Sequence, residues 1–146
     1  MKAKEYLGQI RKYDILLQNK TDIVESLRAQ ATSITAKMDK LNVKSTARTD
    51  RLEETIVKII DLENSILADI EAITTVKEAV IKTIDAVDDG DMINILYKRY
   101  VQYKEWTQIA DELAYSIQHI HRLHGRALLR VQSIINNAFS QKDESK

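Results

Sequence analysis

Two long apolar repeats, which lie between Tyr6 and Val87, constrain the fold more than any other feature of this sequence. Within each repeat, the residues are spaced alternately by four and three. The first consists of Tyr6, Ile10, Tyr13, Leu17, Lys20, Val24, Leu27, Ala31, Ile34, Met38 and Leu41. The second consists of Leu52, Ile56, Ile59, Glu63, Ile66, Ile70, Ile73, Lys77, Val80, Ile84 and Val87. A sustained 3.5-residue period is typical of a helix that packs along its length against another helix.

Little in the sequence would interrupt such helices. The chain of 146 residues has no proline and only three glycines, which disfavours a turn-rich β fold. The stretch 42–50 (NVKSTARTD) is rich in residues that favour turns and caps. Thr49 or Asp50 is expected to cap the second helix, with Glu53 completing a capping box. Because this stretch separates two repeats of similar length, the simplest arrangement is a long antiparallel helical hairpin, or coiled coil.

The run Asp88-Asp89-Gly90-Asp91 marks the expected domain boundary. Gly90 suits the left-handed conformation that ends a helix, and Asp91 suits the cap of the next one. We predict an all-α fold with a helical hairpin domain over residues 1–88, a helix-turn-helix domain over 91–138 and a frayed tail over 139–146.

Beyond this boundary, the long repeats give way to shorter helical segments. The first is expected over Met92–Val101 and the second from about Glu105 to Leu113, followed by a tight turn at Ala114 and Tyr115. Ser116 is expected to cap a longer helix, whose buried side carries Ile120, Leu123, Ala127, Leu128 and Val131. Two helices joined by a short turn, with the second longer and basic, are typical of a helix-turn-helix.

The distribution of charge sets this last helix apart. The chain has 22 basic and 22 acidic residues, yet no acidic residue occurs from Ala114 to Lys142. Such a stretch favours contact with DNA. Glutamine reads adenine, arginine reads guanine or grips a phosphate, and a capped helix N-terminus offers backbone donors to an anion. The residues expected to face DNA on these grounds are Ser116, Gln118, His119, His121, Arg122 and Arg126.

The residues of this segment resemble region 4 of bacterial sigma factors. The resemblance rests on Leu96, Arg99, Tyr100, Trp106, Ile109, Ala110, Leu113, Ser116, Ile120, Ala127 and Leu128, and its spacing has no gap from Tyr100 to Leu128. The chain as a whole, including the stretch NVKSTARTDRLEETIVKIIDLE, is similar to small phage and mobile-element regulators of Firmicutes, near the ArpU and RinA late-transcription activators. Ala114 stands where region 4 usually has glycine.

The resemblance implies a transcription regulator that binds double-stranded DNA at promoters and contacts RNA polymerase. By motif position, it places base and phosphate contacts on Ile117, Gln118, His121, Arg122 and Arg126. No counterpart of the sigma segment that binds the promoter −10 element is visible, which favours an accessory activator over a sigma factor.

Other chemistries find little support in the sequence. The absence of cysteine excludes disulfides, thiolate metal sites and thiol nucleophiles. Of His119, His121 and His124, only the last two share a helical face, and no carboxylate lies near them, so we expect no metal or other cofactor. No phosphate loop or nucleophile motif is present, so we expect no enzyme. No signal peptide or membrane span is visible, and the expected location is cytoplasmic.

Two other functions remain open at this point. A small terminase-like DNA-packaging protein also combines a helix-turn-helix with a coiled coil, and a structural coiled-coil adaptor would not bind DNA at all. Val57, Leu62 and Leu67 lie off the main apolar stripe, which favours a homo-oligomer formed through the hairpin. We expect DNA binding to reside in residues 91–138, with the hairpin away from the DNA.

Overall fold

The computed structural model describes residues 1–41 and 46–145, and within these ranges it contains helices and no strand. The helices are α1 (Ala3–Leu7), α2 (Gln9–Leu41), α3 (Thr46–Asp85), α4 (Gly90–Leu96), a π-helical turn (Tyr97–Val101), α5 (Trp106–Leu113) and α6 (Ile117–Glu144). The predicted all-α fold with long packed helices is confirmed. None of these helices is long and apolar enough to span a membrane.

The helices form two compact units, the first of which contains both the beginning and the end of the chain. The first unit comprises Met1–Lys12 and Ile73–Lys146, and the second comprises Tyr13–Ala72. The boundary expected at Asp88–Asp91 falls inside the first unit.

The core of the first unit is assembled from distant parts of the sequence. Its buried members are Ala3, Leu7, Ile10, Val80, Ile84, Val87, Met92, Leu96, Tyr100, Ala127, Val131 and Ile135. Each fully buried Leu or Ile contributes about 1.5–3 kcal/mol relative to an exposed one. Gln132 on α6 anchors the N-terminal residues, because its Oε1 accepts the Ala3 N–H at 2.7 Å and its Nε2 donates to the Met1 carbonyl at 3.3 Å. The first residues of the chain are therefore part of the unit that carries α5 and α6.

In the second unit, α2 and α3 pack through apolar stripes, but α3 does so in a different register from the one predicted. The residues of the first repeat from Tyr13 to Met38 are buried or half-buried, as expected. On α3, Thr55 is only 8 % exposed, whereas Ile56 is 43 % exposed. The observed stripe of α3 in this unit is Leu52, Thr55, Ile59, Leu62, Ile66 and Asp69.

Lys20 on α2 explains this register. Its ammonium binds the Asp69 carboxylate at 2.7 Å and the Ser65 hydroxyl at 2.7 Å. A half-buried cation needs such partners, which turns Asp69 toward α2 and Ile70 away from it. The Thr55 hydroxyl donates to the Arg51 carbonyl at 2.8 Å, so this residue is buried with its polar group satisfied. The register of α3 is thus set by polar contacts that spacing alone does not reveal.

The turn after α3 also differs from the prediction. Asp88, with φ 63°, takes the left-handed conformation expected of Gly90, and Gly90 has no positive φ. Asp89 caps α4 in place of Asp91, accepting the Met92 N–H at 3.0 Å. Aspartate tolerates the left-handed region better than most residues, and the run offers several of them.

Two other helix ends lie beyond their predicted positions. Because α3 begins at Thr46, Thr49 and Asp50 lie inside the helix, and the predicted capping box is wrong. Helix α6 continues to Glu144 and so includes residues 139–144 of the expected tail. Residues 42–45 of the expected turn, the side chain of Leu41 and the last residue of the tail lie outside the described residues.

Candidate nucleic-acid interface

The turn between α5 and α6 is formed by Ala114, Tyr115 and Ser116, as the sequence predicts. Ala114 is left-handed, with φ 58° and ψ 39°. Its N–H donates to the Asp111 carbonyl, and the Tyr115 N–H donates to the Ala110 carbonyl at 3.1 Å, which is the Schellman pattern of helix termination. The Ser116 hydroxyl then accepts the His119 N–H at 3.1 Å and caps α6. A left-handed alanine costs about 1–3 kcal/mol, which the surrounding packing must offset.

A small apolar cluster fixes α6 against α5. It contains the buried residues Ile95, Ile109, Ala110, Ile120 and Leu123, with Trp106 and Leu113 packed against it. Because Ala110 and Ile120 share this cluster, the predicted packing of these two residues is supported. The opposite face of α6 remains open to solvent.

Most of the predicted DNA-binding residues lie on that open face. The exposed ones are Ser116, Ile117, Gln118, His121, Arg122 and Arg126. His119 is half-buried, because its ring packs edge-on against Tyr115 with the ring centroids 4.7 Å apart. The Tyr115 hydroxyl in turn donates to Asp91 at 2.9 Å. The turn and the first residues of α6 are therefore tied back to the start of α4.

Some of the cations around this face are paired with a carboxylate, and others are not. Lys98 and Lys104 both bind Glu112 at 2.7 Å, and their hydrogen bonds lower the pKa of this carboxyl to about 2. In contrast, Arg122 and Arg126 pair with no carboxylate among the described residues. These two guanidinium groups are available to a negatively charged ligand.

His124 has a structural position that the sequence analysis missed. It is only 9 % exposed, and its Nε2 shares a hydrogen bond of 2.8 Å with the Tyr100 hydroxyl. Burial lowers the pKa of His124 to about 4, and the nearby charges of Lys4, Arg99 and His121 add to this effect. Its spacing of four residues from Ile120 could have predicted its burial. The described residues contain no cluster of metal-binding side chains.

Trp106 contacts both the buried His124 and the exposed His121. Its ring lies edge-on to His124 with the centroids 4.5 Å apart, and 5.1 Å from the His121 centroid. The Arg99 guanidinium lies 4.6 Å from the Trp106 ring centroid and also donates to the Lys104 carbonyl at 3.0 Å. Trp106, with Arg99 beside its ring, therefore packs against the N-terminal half of α6.

No protein-family model matches the chain, and no curated protein or solved structure shows significant similarity to it. The resemblance to sigma region 4 and to the ArpU and RinA regulators thus remains a prediction from the sequence.

Proposed function

We propose that this protein is a sequence-specific DNA-binding transcription regulator that reads double-stranded DNA with a helix-turn-helix formed by α5 and α6. One observation carries the proposal. The open face at the start of α6 presents Gln118, His121, Arg122 and Arg126, and the chain has no acidic residue from Ala114 to Lys142. A rigid helix whose exposed face is free of acids suits a polyanion.

The expected mode of binding follows from the position of each side chain on α6. The N-terminal half of α6 enters the major groove while α5 crosses the backbone. Gln118 reads adenine, and Arg122 and Arg126 read guanine or bind phosphates. Ile117 contacts a thymine methyl group, and the amides near Ser116 face a phosphate. Phosphate contacts supply affinity, whereas base contacts supply specificity.

The preceding long helices form an antiparallel hairpin in this proposal. The support comes from the side-chain pairs of the second unit. Lys20 binds Asp69, and Arg28, further along α2, binds Glu63, which lies earlier on α3. Contacts that run in opposite directions along two helices are those of an antiparallel pair.

The hairpin also offers a surface for a second copy of the chain. Ile56, Ile60, Leu67 and Ile70 form an exposed apolar stripe on α3, with Leu67 61 % exposed. Glu63 interrupts this stripe, but Arg28 neutralises its charge. Of the residues expected to lie off the main stripe, Val57 and Leu67 are exposed, whereas Leu62 is half-buried against α2. A symmetric dimer would carry two reading helices, one in each subunit, for two half-sites.

The sequence resemblance supports a role at promoters. It favours an accessory activator of phage or mobile-element genes, with RNA polymerase as a further partner and the cytoplasm as the place of action. The exposed stripe of α3 also fits a small terminase-like DNA-packaging protein, which would assemble into rings. Sedimentation with DNA separates a dimer on one duplex from a ring, and failure to bind any duplex would indicate a structural adaptor.

Selection from a pool of randomised duplexes tests the proposal. The full-length protein is expected to enrich one short sequence, which Arg122→Ala should fail to enrich. Arg51→Ala, an exposed arginine of the second unit, is the matched control and should enrich the same sequence as the wild type. If no sequence is enriched, or if Arg122→Ala selects as well as the wild type, the proposed reading helix is wrong.

A further inference from the structure

The first twelve residues form a basic segment that folds onto the unit carrying α5 and α6. They contain Lys2, Lys4, Arg11 and Lys12 against a single acid, Glu5. Their apolar side, Ala3, Leu7 and Ile10, is buried in the core of the first unit. The basic side chains are all exposed.

Lys4 and Arg11 lie on one edge of this segment. They are seven residues apart, on α1 and α2, and at the Gly8 turn between these helices the Gly8 N–H still donates to the Lys4 carbonyl at 3.0 Å, as in a helix. Lys4 directly follows the buried Ala3, and Arg11 directly follows the buried Ile10. Both side chains therefore lie along the same edge of the buried face. Neither pairs with a carboxylate within the described ranges.

Arg11 reaches the loop that leads into α5. Its guanidinium lies 5.8 Å from the ring centroid of Tyr103, which has a left-handed backbone with φ 58°. In a bound helix-turn-helix, the helix that precedes the reading helix crosses the DNA backbone. A cation beside the start of α5 is therefore near the phosphates. The neighbouring Lys98 and Lys104 already bind Glu112, which leaves Arg11 as an available cation at this loop.

Lys4 belongs to the segment that docks on α6, because the N–H of the adjacent Ala3 donates to Gln132 of that helix at 2.7 Å. Its positive charge helps to hold the pKa of His124 low, after burial and together with Arg99 and His121. The N-terminal segment therefore packs beside α6, the helix whose exposed face carries Arg122. Glu5 and Asp14 lie within three residues of Lys4 and Arg11 in the sequence, and Glu105 precedes α5.

We propose that Lys4 and Arg11 form a second phosphate-binding edge, so that the beginning of the chain and the reading helix α6 bind the same duplex. This inference rests on the proposed DNA-binding function. It differs from the sequence-based expectation, in which residues 91–138 alone bind DNA. The N-terminal edge supplies charge without base recognition, and it therefore adds affinity equally on all sequences.

The test is the salt dependence of binding to a fluorescein-labelled, mixed-sequence duplex of roughly 30 base pairs, about three helical turns. The full-length protein is titrated by anisotropy between about 50 and 200 mM salt. Removing one phosphate contact makes the log–log slope shallower by about 0.9. The log–log slope of the Lys4→Ala/Arg11→Ala variant is expected to be shallower than that of the wild type by about 1.8. The Lys4→Arg/Arg11→Lys variant keeps the wild-type slope because both charges remain.

The matched control is Lys37→Ala/Lys40→Ala, which removes two exposed cations from the second unit and is expected to keep the wild-type slope. An unchanged slope for Lys4→Ala/Arg11→Ala, alongside a shallower slope for Arg122→Ala, would overturn the N-terminal edge and leave the reading helix intact. If the slope of Lys37→Ala/Lys40→Ala became as shallow as that of Lys4→Ala/Arg11→Ala, the N-terminal edge would also be overturned, because the change would then reflect net charge alone. If the wild type binds no duplex, the edge and the proposed function fail together.

Discussion

The Tyr100 hydroxyl and the His124 Nε2 share a hydrogen bond of 2.8 Å, and their rings stack with the centroids 5.8 Å apart. This pair joins the π-helical turn to α6 inside the first unit. A histidine with a pKa of about 4 is neutral at neutral pH. The relationship ties the stability of the first unit to the protonation of one buried ring.

We predict that this unit loses stability in mild acid. The pKa of His124 in the folded protein is about 4, below the ordinary value of 6.5. Its contribution is therefore fully present above pH 6.5 and disappears as the pH falls toward 4. A pKa displaced from 6.5 to about 4 corresponds to a loss of up to about 3 kcal/mol between these two pH values.

Urea denaturation followed by Trp106 fluorescence from pH 7 to pH 4 measures this loss. His124→Phe should flatten the pH dependence, whereas His121→Gln, which removes an exposed histidine, should preserve it. A wild-type pH dependence in His124→Phe would mean that another group is responsible.

Leu7→Ala should destabilise the first unit, although it lies far from α6 in the sequence. Leu7 is fully buried, and deleting such a side chain typically costs about 2–5 kcal/mol. The urea midpoint of Trp106 fluorescence reports the effect, because the chain has no other tryptophan. Leu16→Ala, at an exposed position of the second unit, should change the midpoint little. Equal midpoints for Leu7→Ala and the wild type would show that the N-terminal segment does not dock on this unit.

Trp106 fluorescence in the free protein should be blue-shifted and weakly quenched by acrylamide. The ring packs against the apolar cluster beneath α6 and lies between Arg99 and His124. Trp106→Ala should lower the free energy of unfolding of the first unit by about 3 kcal/mol, whereas Trp106→Phe should recover much of the loss. Red-shifted emission that acrylamide quenches freely would instead make Trp106 a surface contact residue.

Self-association should depend on the exposed stripe of α3. Ile60→Glu/Leu67→Glu would place four carboxylates in a dimer interface, where unpaired charges are strongly unfavourable. Sedimentation equilibrium should show an oligomer for the wild type and a monomer for this variant. Leu129→Glu is the control, since Leu129 is a highly exposed leucine of the first unit. A monomeric wild type at high concentration would contradict the dimer.

The sequence predicted those features that depend on neighbouring residues. The turn at Ala114, the cap at Ser116 and the apolar face of α5 follow from local chemistry, and all three are present. The register of α3 was not predictable from spacing, because Leu52, Ile59 and Ile66 belong to both possible stripes. The choice between them depends on the contact of Lys20 with Asp69, which joins two separate helices.

The docking of the first residues was unpredictable for a similar reason. Ile10 belongs to the first repeat, and Ala3 and Leu7 precede it within residues 1–88, so the sequence assigned all three to the hairpin domain. Only the folded chain reveals that they share one core with Ala127 and Val131. His124 could have been recognised as buried from its spacing, but its bond with Tyr100 joins residues that are 24 positions apart.

The most direct test of the central claim is the binding of the full-length Arg122→Ala/Arg126→Ala variant to duplex DNA as a function of salt. Both guanidinium groups are exposed and unpaired with any carboxylate in the described parts of the chain. If α6 reads DNA, the variant should bind more weakly than the wild type, and its log–log salt slope should be shallower by about 0.9 for each lost phosphate contact. Wild-type affinity and slope in this variant, with an unchanged circular dichroism melting curve, would contradict the assignment of α6 as the reading helix.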